Sequence, residues 1–153
     1  MHDVVSSTLG TENRELGLKQ IDNEDGLTAP ATLGERVARV VKSAAGKGRY
    51  IYFVVDDSFK ASDTTNFQLE IQYFDAAPGT LSVEFDGSDE NAPFSGAYTR
   101  APENAHLEGA KLWRTSQFTL KGAKFGNGQN RSADFRLVIE APEFAVGSVK
   151  LSR

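Results

Sequence analysis

The chain of 153 residues contains no cysteine. Disulfides, thiolate metal sites and cysteine nucleophiles are therefore excluded. Histidine is scarce as well. His2 stands in an N-terminal stretch expected to fray and His106 in a polar loop, which disfavours a two-histidine metal site. No run approaches the roughly eighteen apolar residues that span a bilayer, and residues 1–10 lack the apolar stretch of a signal peptide. Positive charge is not in excess either: the formal charge is −4 and the pI is near 5.2. That balance argues against both nucleic acid and a polybasic membrane surface.

Helical periodicity is also missing. The nearest contender, residues 33–45, carries Val37, Val40 and Val41 and reads better as a strand. No histidine–carboxylate–nucleophile set, phosphate-binding glycine loop or metal-ligand spacing is present, so no enzyme activity is expected. Asp56 and Asp57 invite a glycosidase reading, but neighbours on a strand point to opposite faces and cannot straddle one bond. They read as a strand-end turn. Residues 22–26 imitate a calcium loop, yet Gly26 falls at the fifth position and Leu33 at the twelfth, where a glutamate is needed. An Asp-Gly turn is the simpler reading.

What the sequence does contain is apolar alternation in short runs. Phe67, Leu69, Ile71 and Tyr73 are interleaved with Gln68, Glu70 and Gln72, the pattern of a strand with one buried face. Leu81, Val83 and Phe85 repeat it after a turn at residues 76–79, as do Phe118 with Leu120, Phe135 with Leu137 and Ile139, and Val149 with Leu151. Further strands are expected at 16–21, 36–41 and 50–55. Eight or more antiparallel strands without βαβ alternation predict an all-β sandwich of jelly-roll topology. Residues 1–13 read as a flexible leader and 14–153 as one domain, with a long irregular stretch at 86–109 that is either functional or mobile.

Several strings carry a family resemblance. Arg49-Tyr50-Ile51-Tyr52-Phe53-Val54-Val55-Asp56-Asp57-Ser58-Phe59, Glu70-Ile71-Gln72-Tyr73-Phe74-Asp75, Leu112-Trp113-Arg114-Thr115 and Asn130-Arg131-Ser132-Ala133-Asp134-Phe135-Arg136 resemble the non-catalytic modules appended to bacterial glycoside hydrolases and other polysaccharide-processing enzymes. Those modules are similar to the galactose-binding-like β-sandwich of many carbohydrate-binding modules, and the match runs from about residue 16 to 153. The resemblance implies a bacterial, extracellular or cell-surface setting and a larger secreted parent protein from which this module is excised, and the domain is expected to be a monomer. Its partners would be a polysaccharide or oligosaccharide and the catalytic domain of the parent enzyme. The alternative is a structural or protein-interaction spacer without a sugar site. No cofactor is required, although modules of this type can hold a structural calcium through carbonyls and carboxylates.

Sugar recognition needs a flat apolar platform and planar polar groups on loops at the rim of a rigid scaffold. Tyr98 and Arg100 in the 86–109 stretch could supply a ring and a cation for an anionic sugar, or Phe94 could anchor the loop with Tyr98 merely covering its edge. Trp113 is either a platform or a cover for a sheet edge. In the loop 124–132, Asn127, Gln129, Asn130 and Arg131 are gathered between glycines, ahead of Asp134 and Arg136, which should share one strand face. This group reads either as hydrogen-bonding partners for a sugar or as a polar network that orders the loop.

Overall fold

The computed structural model describes residues 4–42, 49–60 and 65–153. Among them thirteen strands form two antiparallel sheets packed face to face. The first sheet holds β1 (Val4–Thr8), β2 (Arg14–Leu16), β4 (Leu27–Leu33), β5 (Arg36–Lys42), β7 (Phe67–Phe74), β11 (Trp113–Leu120) and β13 (Ala145–Ser152). The second holds β3 (Leu18–Ile21), β6 (Arg49–Val55), β8 (Pro78–Phe85), β9 (Thr99–Arg100), β10 (Ala105–Glu108) and β12 (Phe135–Glu140). Strand order in the first is β11-β7-β13-β1-β2, with β5 and then β4 continuing from the start of β13. The second runs β10-β8-β12-β6-β3, with β9 on the far end of β8. This is the predicted β-sandwich with jelly-roll topology.

Alternation builds the core directly. Ile51, Phe53 and Val55 of β6, Leu81, Val83 and Phe85 of β8, and Phe135, Leu137 and Ile139 of β12 face Leu69, Ile71, Val149 and Leu151 of the first sheet, all buried in one cluster. The rings of Phe53 and Phe135 stack with centroids 5.0 Å apart. Each such side chain contributes about 1.5 to 3 kcal/mol on burial. Because strand side chains alternate, the same choice sends Tyr50, Tyr52, Ser82, Glu84, Arg136 and Val138 to the outer face of the second sheet.

Two expectations are corrected here. Residues 4–8 are not a loose leader: they form β1, paired along β13 from Val4 opposite Ser152 to Thr8 opposite Ser148, with Val5 and Leu9 buried. Three hydroxylated residues in five conceal the alternation, since one of them, Ser7, is itself buried. The strand expected at 16–21 is two strands in different sheets, β2 and β3. Between them Gly17 adopts φ 78°, and a Cβ there would lie 2.6 Å from Val5 Cγ1, so only glycine lets the chain cross at this point. His2 and residues 43–45 lie outside the described residues, while His106 sits on β10.

The 86–109 stretch is more ordered than its composition suggests. It holds a 3-10 turn (Pro93–Gly96), β9 and β10. Glu103 accepts hydrogen bonds from the Thr119 amide at 2.8 Å and its hydroxyl at 2.6 Å, which fastens the stretch across the edge of β11.

Candidate functional site

One row across the outer face of the second sheet reads Ile21, Tyr52, Arg136, Glu84 and Arg100, each directly opposite the next in the ladder. Arg136 is its centre. Nε donates to Glu84 Oε1 at 2.8 Å, Nη2 lies 2.7 Å from the same oxygen, and Nη1 donates to the Tyr52 hydroxyl at 2.8 Å. The guanidinium carbon stands 3.8 Å from the ring centroid of Tyr50 and 4.1 Å from that of Tyr98. Burial works against the charge of Arg136, but hydrogen bonds and Coulombic attraction from Glu84 and Tyr52 outweigh it and raise its pKa. Arg136 thus holds two aromatic rings in place and spends its donors within the protein.

Tyr52 is a second hub. Its hydroxyl accepts from Arg136 and, at 3.2 Å, from Asn130 Nδ2, and it donates to Asp25 Oδ2 at 3.0 Å. Burial pushes its pKa up to about 12. The Tyr98 hydroxyl donates to Asn130 Oδ1 and accepts from the Asn130 amide, both at 3.0 Å, so the 86–109 and 124–132 loops meet at this pair. Beneath them Gln129 Nε2 donates to the carbonyls of Ala97 at 2.7 Å and Glu84 at 3.1 Å.

Next to this cluster lies an open cavity of about 210 Å³ lined by Asn23, Glu24, Asp25 and Asn130. The turn at residues 23–26 forms its wall. Gly26 is obligatory there, since a Cβ would stand 1.9 Å from the Tyr50 carbonyl oxygen. The Tyr50 amide donates to the Asp25 carbonyl at 3.0 Å, and Asn23 Nδ2 to Asp25 Oδ1 at 2.7 Å. Cavity walls of carboxylates and amides suit hydroxyl groups, each of which donates and accepts.

Phe94 stands at the other side of Tyr98, ring centroids 5.7 Å apart and planes at 87°. It is 79% exposed, so it does not anchor the loop. Phe94 and Ser95 both adopt left-handed backbone, at φ 56° each, which costs roughly 1 to 2 kcal/mol per residue.

Among the described residues, no group of three or more histidine or carboxylate side chains that could hold a metal ion occurs. The buried carboxylates face nitrogen: Asp75 accepts from the amides of Glu108 and Gly109 and from Arg114, Asp86 from the amides of Gly126 and Gly128, and Asp134 from the amides of Val55 and Asn127, with Lys60 Nζ at 3.0 Å. Calcium takes oxygen ligands.

Comparison with known proteins comes down to fold. No protein-family model matches the chain, and no curated protein matches it. Among solved structures, a family 29 carbohydrate-binding module from Piromyces equi shares 9% identity with a TM-score of 0.54, covering 99% of this chain and 93% of that one. The CBM22-1 xylan-binding domain of Xyn10C from Paenibacillus barcinonensis shares 10% at 0.50, covering 96% and 91%. The chain has the fold of these carbohydrate-binding modules. The K2 cleaved adhesin domain of Lys-gingipain has it too, at 10% identity and 0.50, covering 90% of each chain.

Of the residues singled out by sequence, the structure brings Tyr98, Asn130 and Arg136 together, with Arg100 at the margin, where it donates to Ser82 Oγ at 2.7 Å and pairs with Glu84 at 3.4 Å. That pairing compensates the charge offered to an anionic sugar. Gln129 is buried and supports from below. Arg131 is exposed, with no partner among the described residues. Asn127 turns inward to the Ser132 carbonyl, Asp134 and Lys60. Asp134 precedes β12, is fully buried, and makes none of its hydrogen bonds to the partners of Arg136; burial raises its pKa against the pull of its donors.

Trp113 lies on the other sheet. Its ring packs on Phe74 at 5.7 Å, Nε1 donates to the Leu33 carbonyl at 3.1 Å, and Arg36 covers a face at 4.4 Å. The structure does not bring it to the Tyr98 cluster. The sequence reading does not place Tyr50, Tyr52, Glu84, Asn23 or Asp25 at a sugar site, and it gives Phe94 only an anchoring role. The available signal was alternation on β6, where Tyr50 and Tyr52 fall out of phase with the core residues Ile51 and Phe53.

Proposed function

We propose that this domain is a non-catalytic carbohydrate-binding module whose site is the outer face of the second sheet around Arg136, including the cavity lined by Asn23, Glu24, Asp25 and Asn130. One observation carries the reading: Tyr98 is fixed on a face by Arg136 and at its hydroxyl by Asn130, which itself lines the cavity. A sugar site needs this combination of immobilised ring and planar polar groups, and preorganisation removes much of the entropic cost of binding. The fold is compatible with the role, being shared with modules of which one is a xylan-binding domain. Two carboxylates at the site serve to position other groups, Glu84 holding Arg136 and Arg100, and Asp25 holding Tyr52 and Asn23, which supports a binding role.

In this reading the domain acts as a monomer outside the cell, holding a larger polysaccharide-processing protein on its substrate and raising the local concentration of the two. A glycan array of the isolated domain, followed by calorimetry on its best ligand, tests the proposal. Asn130→Ala should weaken binding by about 1 to 3 kcal/mol, the cost of leaving sugar hydroxyls unpaired. Absence of binding to every glycan would leave the spacer or protein-interaction reading in its place.

A further inference from the structure

Phe94 is the most exposed of the large apolar side chains among the described residues, and the backbone is built to keep it so. Three successive residues, Phe94, Ser95 and Gly96, have positive φ. The turn is closed by hydrogen bonds to the Gly96 carbonyl from the Gly87 amide and the Thr99 hydroxyl, each 2.8 Å, and from the Ala97 amide to the Phe94 carbonyl at 3.2 Å. A Cβ on Gly96 would lie 2.8 Å from the carbonyl oxygens of Gly87 and Asp89, so the closure admits only glycine. A strained turn that lifts a phenyl ring into water gains nothing for the core. Strain of this kind concentrates at sites that clamp ligands.

The position of the ring gives it a use. Its neighbour is the ring of Tyr98, nearly perpendicular to it, and the hydroxyl end of Tyr98 reaches Asn130 at the cavity. Phe94 and the cavity are therefore one tyrosine side chain apart along one surface. A phenyl ring has no hydrogen-bonding group, so it suits the face of a pyranose where C–H bonds cluster. At the cavity, the Asp25 carboxylate, whose side-chain hydrogen bonds come from the neutral Tyr52 and Asn23, disfavours a carboxylated or sulfated unit by like-charge repulsion.

We propose that Phe94 is the platform of a second sugar subsite, so that the domain takes at least two contiguous units of an uncharged oligosaccharide, one in the cavity and one over the Phe94 ring. The inference rests on the carbohydrate-binding reading above and adds the length and charge of the ligand.

Calorimetry with β-linked gluco-, xylo-, manno- and galacto-oligosaccharides of one to four units, and with uronic-acid and sulfated oligosaccharides of the same lengths, tests it. For at least one series the affinity should rise from the monosaccharide to the di- or trisaccharide, and Phe94→Ala should remove that rise, a loss of about two- to tenfold if the stacking resembles an aromatic pair. The melting temperature should stay as in the wild type, because the ring is exposed. Phe94→Trp should keep the rise, and its emission should shift on addition of the trisaccharide by more than that of the wild type, whose Trp113 lies on the other sheet. Binding lost in Asn130→Ala but unchanged in Phe94→Ala at every length would overturn the second subsite while leaving the first. Binding only of uronic-acid or sulfated chains would overturn the uncharged ligand. No binding of any series in the millimolar range would overturn both this inference and the reading beneath it.

Discussion

Arg136 and Glu84 face each other directly across β12 and β8, with Nη2 2.7 Å from Oε1 and both side chains largely covered. The pair sits on the outer face of a sheet, where charged residues are ordinarily solvated, yet the rings of Tyr50 and Tyr98 close over it. Removing either partner therefore strands a charge that water cannot reach freely.

Arg136→Ala should cost about 2 to 4 kcal/mol in urea unfolding, near the range for breaking a buried pair. Arg136→Lys should recover little of it, because an ammonium can neither bridge Glu84 and Tyr52 in one plane nor lie flat on two rings. If Arg136→Lys unfolds at the wild-type midpoint, the stacked guanidinium is not what orders the site.

Tyr52→Phe keeps the ring and deletes the hydroxyl that serves Arg136, Asn130 and Asp25. The expected loss is about 1 to 3 kcal/mol, the cost of leaving buried partners unsatisfied. In an ultraviolet pH titration one tyrosine should ionise only near about 12 in the wild type, and that late step should vanish in the variant. Neutral Tyr52 stabilises the folded state up to the ordinary tyrosine pKa, and this contribution declines as pH climbs from there toward the raised value.

Asp75 contributes to stability on the acid side. Burial alone would raise its pKa, but the amides of Gly109, Glu108 and Ala110 and the Arg114 guanidinium together hold it below the usual carboxylate range. Its contribution is present above the unfolded carboxylate pKa and is lost as pH falls through the lower folded one. Denaturation of wild type and Asp75→Asn between pH 7 and 2 should show the gap in stability narrowing toward the acid end. Asp134, whose pKa is shifted upward, imposes an opposite slope on both proteins and cancels in the difference.

Trp113→Ala separates scaffold from site. It removes a ring packed on Phe74 and clasped by Arg36, and should lower stability by about 2 kcal/mol, less than a fully buried aromatic because the ring is half-exposed. Affinity for a glycan should equal that of the wild type once corrected for the unfolded fraction. A large drop in affinity with an unchanged melting temperature would move the binding surface to the first sheet.

The sequence by itself determined the β class, the core strands and which of their side chains turn outward. Tyr50 and Tyr52 alternate with Ile51 and Phe53, and Arg136 with Phe135 and Leu137, so their outward direction follows from the two-residue period of a strand. It could not determine which outward residues become neighbours. Arg136 meets Tyr52 and Glu84 because β12 lies between β6 and β8 in that register, and Trp113 misses the cluster because β11 belongs to the other sheet. Nor could composition show that residues 4–8 enter the first sheet, or that Gly17 divides an apparent strand between two sheets. The physical reason is range. Alternation is set by bonds along the chain, whereas strand order and register are settled by ladders and packing between segments tens of residues apart, and only the folded sandwich brings those together.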